Sequence, residues 1–185
     1  MRSRTKILDA TLTLIGSDGF GGVSIASVAA AAGVTRQTVY TIFGSRESLV
    51  SQAMAGHLTE VARGIQRDLA SSRTPCEYVV GLIVDSRRAV RADPVLITLL
   101  RSEAGNPLFD TGAISRARDV ARGLLEPLVD LFPEVSARFE DIVEIAVHLG
   151  LTSVCFDDGS LRTDAELRAF LTRWIEPALT SPSTP

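Results

Sequence analysis

Ser24-Ile25-Ala26-Ser27-Val28-Ala29-Ala30-Ala31-Ala32-Gly33-Val34-Thr35-Arg36-Gln37-Thr38-Val39-Tyr40-Thr41-Ile42-Phe43 is the stretch whose pattern organises this chain. Ser24 is placed to cap a short helix that Gly33 stops, and Thr35 to cap a second that Gly44 stops. Gly33-Val34 leaves room only for a tight turn. The first helix is small and apolar, so a second helix can lie close against it. The second is two-faced. At about 100° per residue, Val39, Ile42 and Phe43 fall on one side and Gln37, Tyr40 and Thr41 on the other, with Arg36 and Thr38 at the flanks. A two-turn helix with one apolar face and one hydrogen-bonding face suits insertion into the major groove of DNA. Its Thr35-capped start also offers free N–H groups to phosphate. By itself the pattern equally describes a helical corner with a solvated polar face.

On either side of this stretch apolar residues recur every three or four positions along the whole chain, and no stretch alternates as a strand would. Ile7, Leu8, Leu12 and Ile15 form a stripe that Gly19 is placed to end. Ser45 opens a long helix from 46 to about 70. Thr74-Pro75-Cys76-Glu77 has cap, N1 proline and acidic N3 in order, and predicts a helix to about 92. Asp93-Pro94 restarts the chain as a helix to about 103. Gly105-Asn106-Pro107 breaks it. Further helices are expected over about 112–131 (bent at Pro127), 134–156 and, from the capping box Thr163-Asp164-Ala165-Glu166, 164–176. The fold class is all-α, with about nine helices. The expected organisation is a head over 1–61, a body over 62–180 and a frayed tail over 181–185.

Composition sets the outer limits. The chain has 185 residues, 45% of them hydrophobic, with 19 basic and 22 acidic groups for a net charge of −3. That is an ordinary globular composition. The charge is unevenly spread, because residues 1–56 carry +2 and the remainder −5. A basic head on an acidic body hints at a nucleic-acid-facing end. Two cysteines, Cys76 and Cys155, build no disulfide framework and fit a reducing compartment. No apolar run reaches the ~18 residues of a membrane helix, since Glu144, His148 and Gly150 interrupt the longest candidate. Asp9 and the missing small-residue cleavage site argue against a signal peptide, so a cytoplasmic location is expected.

The flanks of the quoted stretch carry a resemblance. Thr5-x-x-Ile7-Leu8-Asp9-Ala10, Gly19-Phe20, Val23-Ser24-Ile25, Val28-Ala29-x-Ala31-Ala32-Gly33-Val34-Thr35, Val39-Tyr40-x-x-Phe43 and Arg46-Glu47-x-Leu49-Val50 together resemble the TetR family of transcriptional regulators. The likeness covers about a quarter of the chain; the rest matches in general design only. It implies a homodimer that binds a palindromic double-stranded DNA operator, usually as a repressor released by a small-molecule effector. Thr35 and Tyr40 would contact phosphate, and Arg36, Gln37, Thr38 and Thr41 would face the groove. Arg46 would also contact the DNA; it stands where the family usually has lysine, which changes that contact from a point charge to a planar fork. Thr41 and Ile42 stand where many members have His, Tyr or Arg. Base readout would then lean on Gln37 toward adenine and Arg36 toward guanine, with a Thr38 or Thr41 methyl toward thymine.

For the body, Ile142-Val143-Glu144-Ile145-Ala146-Val147-His148-Leu149-Gly150-Leu151 is apolar around most of its circumference. It is either a central core helix or one buried by a second copy. The resemblance implies a bundle made by the last two helices and their mates, with Ile142, Ala146, Leu149, Gly150, Leu167 and Leu171 as interface residues. It also places an effector pocket among the helices after the head. His57, Tyr78, Arg101, Phe109, His148 and Trp174 are the candidates to touch a small, mostly apolar effector, each with a plainer reading as a core or surface side chain. No cofactor, metal or membrane partner is expected.

An enzyme is the competing class, and it is not expected. The two histidines sit in no ligand-type spacing, and Gly19-Phe20-Gly21-Gly22 is no phosphate loop in a chain whose single lysine is Lys6. A helix start near Cys76 can lower a thiol pKa, but no partner is specified, and a small helix-start cysteine is the commoner reading. Asp157-Asp158 and Glu140-Asp141-Glu144 admit acid–base or cation-binding roles but more commonly make turns and solvated faces. Arg87-Arg88-x-x-Arg91 reads as a solvated face. Two further readings stand beside the repressor: a helical interaction protein that no longer reads an operator, and an activator of the same family.

Overall fold

The computed structural model describes residues 2–101, 113–155 and 163–180. Phe109, the side chain of Arg101, Asp157-Asp158 and the tail from 181 lie outside the described residues. Among those described, the chain is all-helical: α1 (Arg2–Gly22), α2 (Ile25–Ala32), α3 (Arg36–Phe43), α4 (Arg46–Leu69), α5 (Pro75–Ala92), α6 (Pro94–Arg101), α7 (Ala113–Leu131), a 3₁₀ segment (Pro133–Arg138), α8 (Phe139–Cys155) and α9 (Asp164–Thr180).

The caps form as their residue types dictate. The Ser24 hydroxyl accepts from the Ser27 N–H at 3.0 Å, and the Ser27 hydroxyl accepts from the Ser24 N–H at 2.9 Å. Thr74 accepts from the Glu77 N–H at 3.1 Å. Thr163 and Glu166 close a reciprocal box at 3.2 and 2.8 Å. Three boundaries differ from expectation. Gly19 bends α1 instead of ending it, at φ 71°, ψ −178°, a region open essentially to glycine alone. Pro133 starts a 3₁₀ segment, and the α-helix proper begins at Phe139. The last helix continues to Thr180, because the Arg138 guanidinium donates to its final carbonyls, Ala178 at 2.5 Å and Leu179 at 2.7 Å.

The chain divides into two compact units. The first takes the residues up to Val61 and those from Arg91 to the end of α6; the second takes the rest of the described chain. Residues 91–101, expected in the body, thus belong with the head. The reason is packing. Val95 joins Ile7, Ile15, Val28, Val39, Phe43 and Leu49 in one buried cluster. Gly16 lets α6 approach α1, since a Cβ there would stand 3.3 Å from Pro94 Cβ. Asp93 caps α6 through Oδ1, accepting from the Val95 and Leu96 N–H groups at 2.9 and 3.3 Å.

In the second unit the helix buried nearly all round is α5, not α8. Cys76, Tyr78 to Asp85 and Arg87 are all buried along it. The run Tyr78-Val79-Val80-Gly81-Leu82-Ile83-Val84 supplies apolar atoms on every side, and Gly81 brings α5 close to Leu69 of α4. α8 buries one stripe, Ile142, Val143, Ala146 and Val147, and leaves Ile145 and His148 outside.

Candidate nucleic-acid interface

α3 is held from below and open from above. Val39 is fully buried and Phe43 nearly so, and both belong to the core of the first unit. Arg36, Gln37, Tyr40 and Thr41 are exposed and Thr38 is half-buried, with Tyr40 at 52% of its free surface. Thr35 caps the helix, accepting from the Thr38 N–H at 3.1 Å, and its hydroxyl lies 2.9 Å from that of Thr38. Gly44, at φ 77°, returns its N–H to the Tyr40 carbonyl at 2.8 Å and ends the helix. Ile42 departs from its expected place on the apolar face. It is exposed, lying at the edge of that face.

Arg46 is engaged within the unit. Its Nε donates to the Val23 carbonyl at 2.6 Å and its Nη2 to the Phe20 carbonyl at 2.5 Å. The planar fork therefore ties the start of α4 to the end of α1 and the link to α2. That is a structural role, different from the phosphate contact expected of a basic residue here. Arg4 lies with its guanidinium 5.7 Å from the centre of the Phe43 ring and donates to Gln52 at 2.7 Å. In the sequence, only its place in the basic head points to Arg4.

The exposed polar face, its capped start and its buried anchors form a helix-turn-helix. Residues 7–53 match the family model described as bacterial regulatory proteins, tetR family. An uncharacterised HTH-type transcriptional regulator of Mycobacterium tuberculosis (strain H37Rv) is 27% identical over 96% of this chain and 86% of its own length. The chain belongs to the TetR family of transcriptional regulators. The HTH-type transcriptional repressor KstR2 of Rhodococcus jostii is 26% identical over 54% of this chain and 49% of its own. The fold is that of solved relatives. A TetR/AcrR family regulator from Thermobifida fusca superposes with a TM-score of 0.61 at 18% identity, covering 98% of each chain. The TetR family repressor AlkX from Dietzia gives 0.56 at 23% identity, covering 95% of this chain and 94% of that one.

In this TetR-family chain the described candidate effector residues are each taken up within their own unit. His57 belongs to the first unit, where Nε2 lies 2.6 Å from Asp93 Oδ2, joining α4 to the start of α6. Tyr78 is buried in the second unit and donates its hydroxyl to the Leu124 carbonyl at 2.9 Å. His148 is exposed, with Nδ1 2.8 Å from the Glu144 carbonyl, and Trp174 is 68% exposed. Of the candidate interface residues, Ile142, Ala146 and Leu171 are already buried within the single chain. Leu149, Gly150 and Leu167 are half-buried.

Charge placement corrects several sequence readings. Arg87 is only 3% exposed and pairs with Asp164 at 2.8 Å, so it is no solvated face. Neighbouring Asp85 is also buried. Its carboxyl is pushed up by burial, against the pull of Arg88 at 2.7 Å and Arg168 at 3.6 Å. Glu144 and Glu140 are held by forked hydrogen bonds from Arg118 and Arg122 across α7 and α8. Those hydrogen bonds are the first cause holding both carboxyls below the usual glutamate range. The Cys76 thiol is raised, not lowered, by burial first and then by Glu176 and Glu77, in keeping with the plain reading of a small helix-start cysteine. Among the described residues no three His, Cys, Asp or Glu side chains cluster to hold a metal, and no helix is long and apolar enough to cross a membrane.

Proposed function

We propose that this regulator binds a palindromic DNA operator as a homodimer, acts as a repressor in the cytoplasm, and is released by a small, mostly apolar effector. One observation carries the DNA-reading part: α3 buries Val39 and Phe43 while leaving Arg36, Gln37, Tyr40 and Thr41 exposed together. Gln37 offers a donor and an acceptor that pair bidentately with adenine, and Arg36 a fork for guanine. Thr35 and Tyr40 position the helix on phosphate and carry no sequence information. The repressor assignment draws support from KstR2, a repressor by name.

Dimerisation draws on α8 and α9. Ile145 and Leu149 lie four apart on α8, as do Phe170 and Trp174 on α9, with Leu167 three before Phe170. Such spacings place side chains on one helix face. Ile145, Phe170 and Trp174 are 45%, 37% and 68% exposed, so a second copy can cover them further, where Ile142, Ala146 and Leu171 are already enclosed. The effector would bind in the second unit, whose aliphatic core favours an apolar molecule.

Binding-site selection from random duplexes tests the reading. Gln37→Ala is expected to cost about 1–3 kcal/mol at one base pair of each half-site and to flatten preference there. Tyr40→Phe is expected to weaken all selected duplexes alike. A selected motif left unchanged by Gln37→Ala would show that this side chain does not read the base.

A further inference from the structure

α7 contains a proline in its interior, Pro127. Proline brings no N–H, so the carbonyl four residues earlier, that of Gly123, has no helical donor, and the ring pushes that turn open. Two side chains from two other helices meet this bend. Gln66 of α4 donates its amide to the Gly123 carbonyl at 3.1 Å. Tyr78 of α5 donates its hydroxyl to the next carbonyl, Leu124, at 2.9 Å. The two bonds differ in kind. Tyr78 is 1% exposed and its bond is buried, so water cannot replace it. The Gln66 bond is exposed, so water exchanges with it at little cost. One carbonyl of the bend is a fixed pivot and its neighbour is a releasable catch.

We propose that Gln66 is a positioning residue that links the proline bend of α7 to α4 by holding the carbonyl Pro127 leaves without a donor. A change in the bend then alters α4, the helix that directly follows the recognition helix α3 in the chain. The catch deepens the ligand-responsive reading above and rests on it for its use, but not for its existence. Releasing an exposed hydrogen bond is a near-balanced exchange, which is what a conformational equilibrium needs if a modest ligand preference is to shift it.

Amide hydrogen exchange on the full-length protein tests this without DNA or effector. The variants are Gln66→Leu, Gln66→Asn, Pro127→Ala and the double variant Gln66→Leu with Pro127→Ala. Gln66→Leu is expected to speed exchange roughly threefold or more around the α7 bend and along α4, including its first half, residues 46–61. Gln66→Asn, one methylene too short to reach, should do the same and changes only a partly buried side chain. Pro127→Ala gives Gly123 a helical donor, so adding Gln66→Leu to it should change nothing further at the bend. Exchange that rises only at 62–69 and around the bend, with 46–61 unmoved in both Gln66 variants, would overturn the proposal. So would a Gln66→Leu effect of equal size with and without Pro127. Failure of the operator reading would appear separately, as wild-type protein that selects no duplex.

Discussion

Introducing Ile145→Glu and Trp174→Glu together is expected to yield a folded monomer that binds a palindromic duplex about 10²–10⁴-fold more weakly than the wild type. Both side chains are largely exposed in the single chain, at 45% and 68%, so exchanging them for carboxylates removes little from its core. In a dimer that covers α8 and α9 the same carboxylates would be buried without partners, and an uncompensated buried charge is strongly destabilising. The affinity loss follows from geometry. A dimer binds its second half-site from a high effective concentration, and a monomer does not. Sedimentation equilibrium gives the mass and fluorescence anisotropy the affinity. A variant that stays dimeric and binds as the wild type does would place the interface elsewhere.

Arg46→Ala is expected to destabilise the first unit by about 2 kcal/mol. Hydrogen bonds from a charged donor contribute roughly 1.5–3 kcal/mol each, and there are two, but the side chain is 39% exposed, so water recovers a good part of the loss. Without the fork, the bent end of α1 and the start of α4 lose their link, and operator binding should weaken with the fold. Arg46→Lys should not restore stability, because an ammonium lacks the planar fork that reaches both carbonyls. Urea unfolding of the three proteins distinguishes this from a phosphate contact. In the phosphate case Arg46→Ala would unfold like the wild type and Arg46→Lys would bind DNA nearly as well.

Much of the architecture is local, and local features can be read in a sequence. Ser24, Thr35, Thr74 and Thr163 cap helices because a short hydroxyl beside a free N–H has one good use. The alternation of Val39 and Phe43 with Gln37 and Tyr40 follows from 3.6 residues per turn. The features that are not legible depend on partners distant in sequence. Arg87 reads as solvated until Asp164, 77 residues on, is placed beside it. Arg46 looks like a phosphate ligand until the Phe20 and Val23 carbonyls, more than 20 residues earlier, turn toward it. The choice between α5 and α8 as the central helix depends on which apolar surface finds neighbours, and composition alone does not rank them. Residues 91–101 look like body because they follow the body's first helix, and only the match of Gly16 to Pro94 reveals their place on α1.

In the proposed complex two copies of α3 enter successive major grooves of one duplex. Methylation interference on a duplex selected by the wild-type protein measures this directly, since guanine N7 lies in the major groove. Two symmetric patches of interference are expected about 34–36 Å apart, one helical turn, or a multiple of that spacing, with the signal weakened in both patches by Arg36→Ala. A single patch, interference confined to adenine in the minor groove, or no interference on any selected duplex would contradict it.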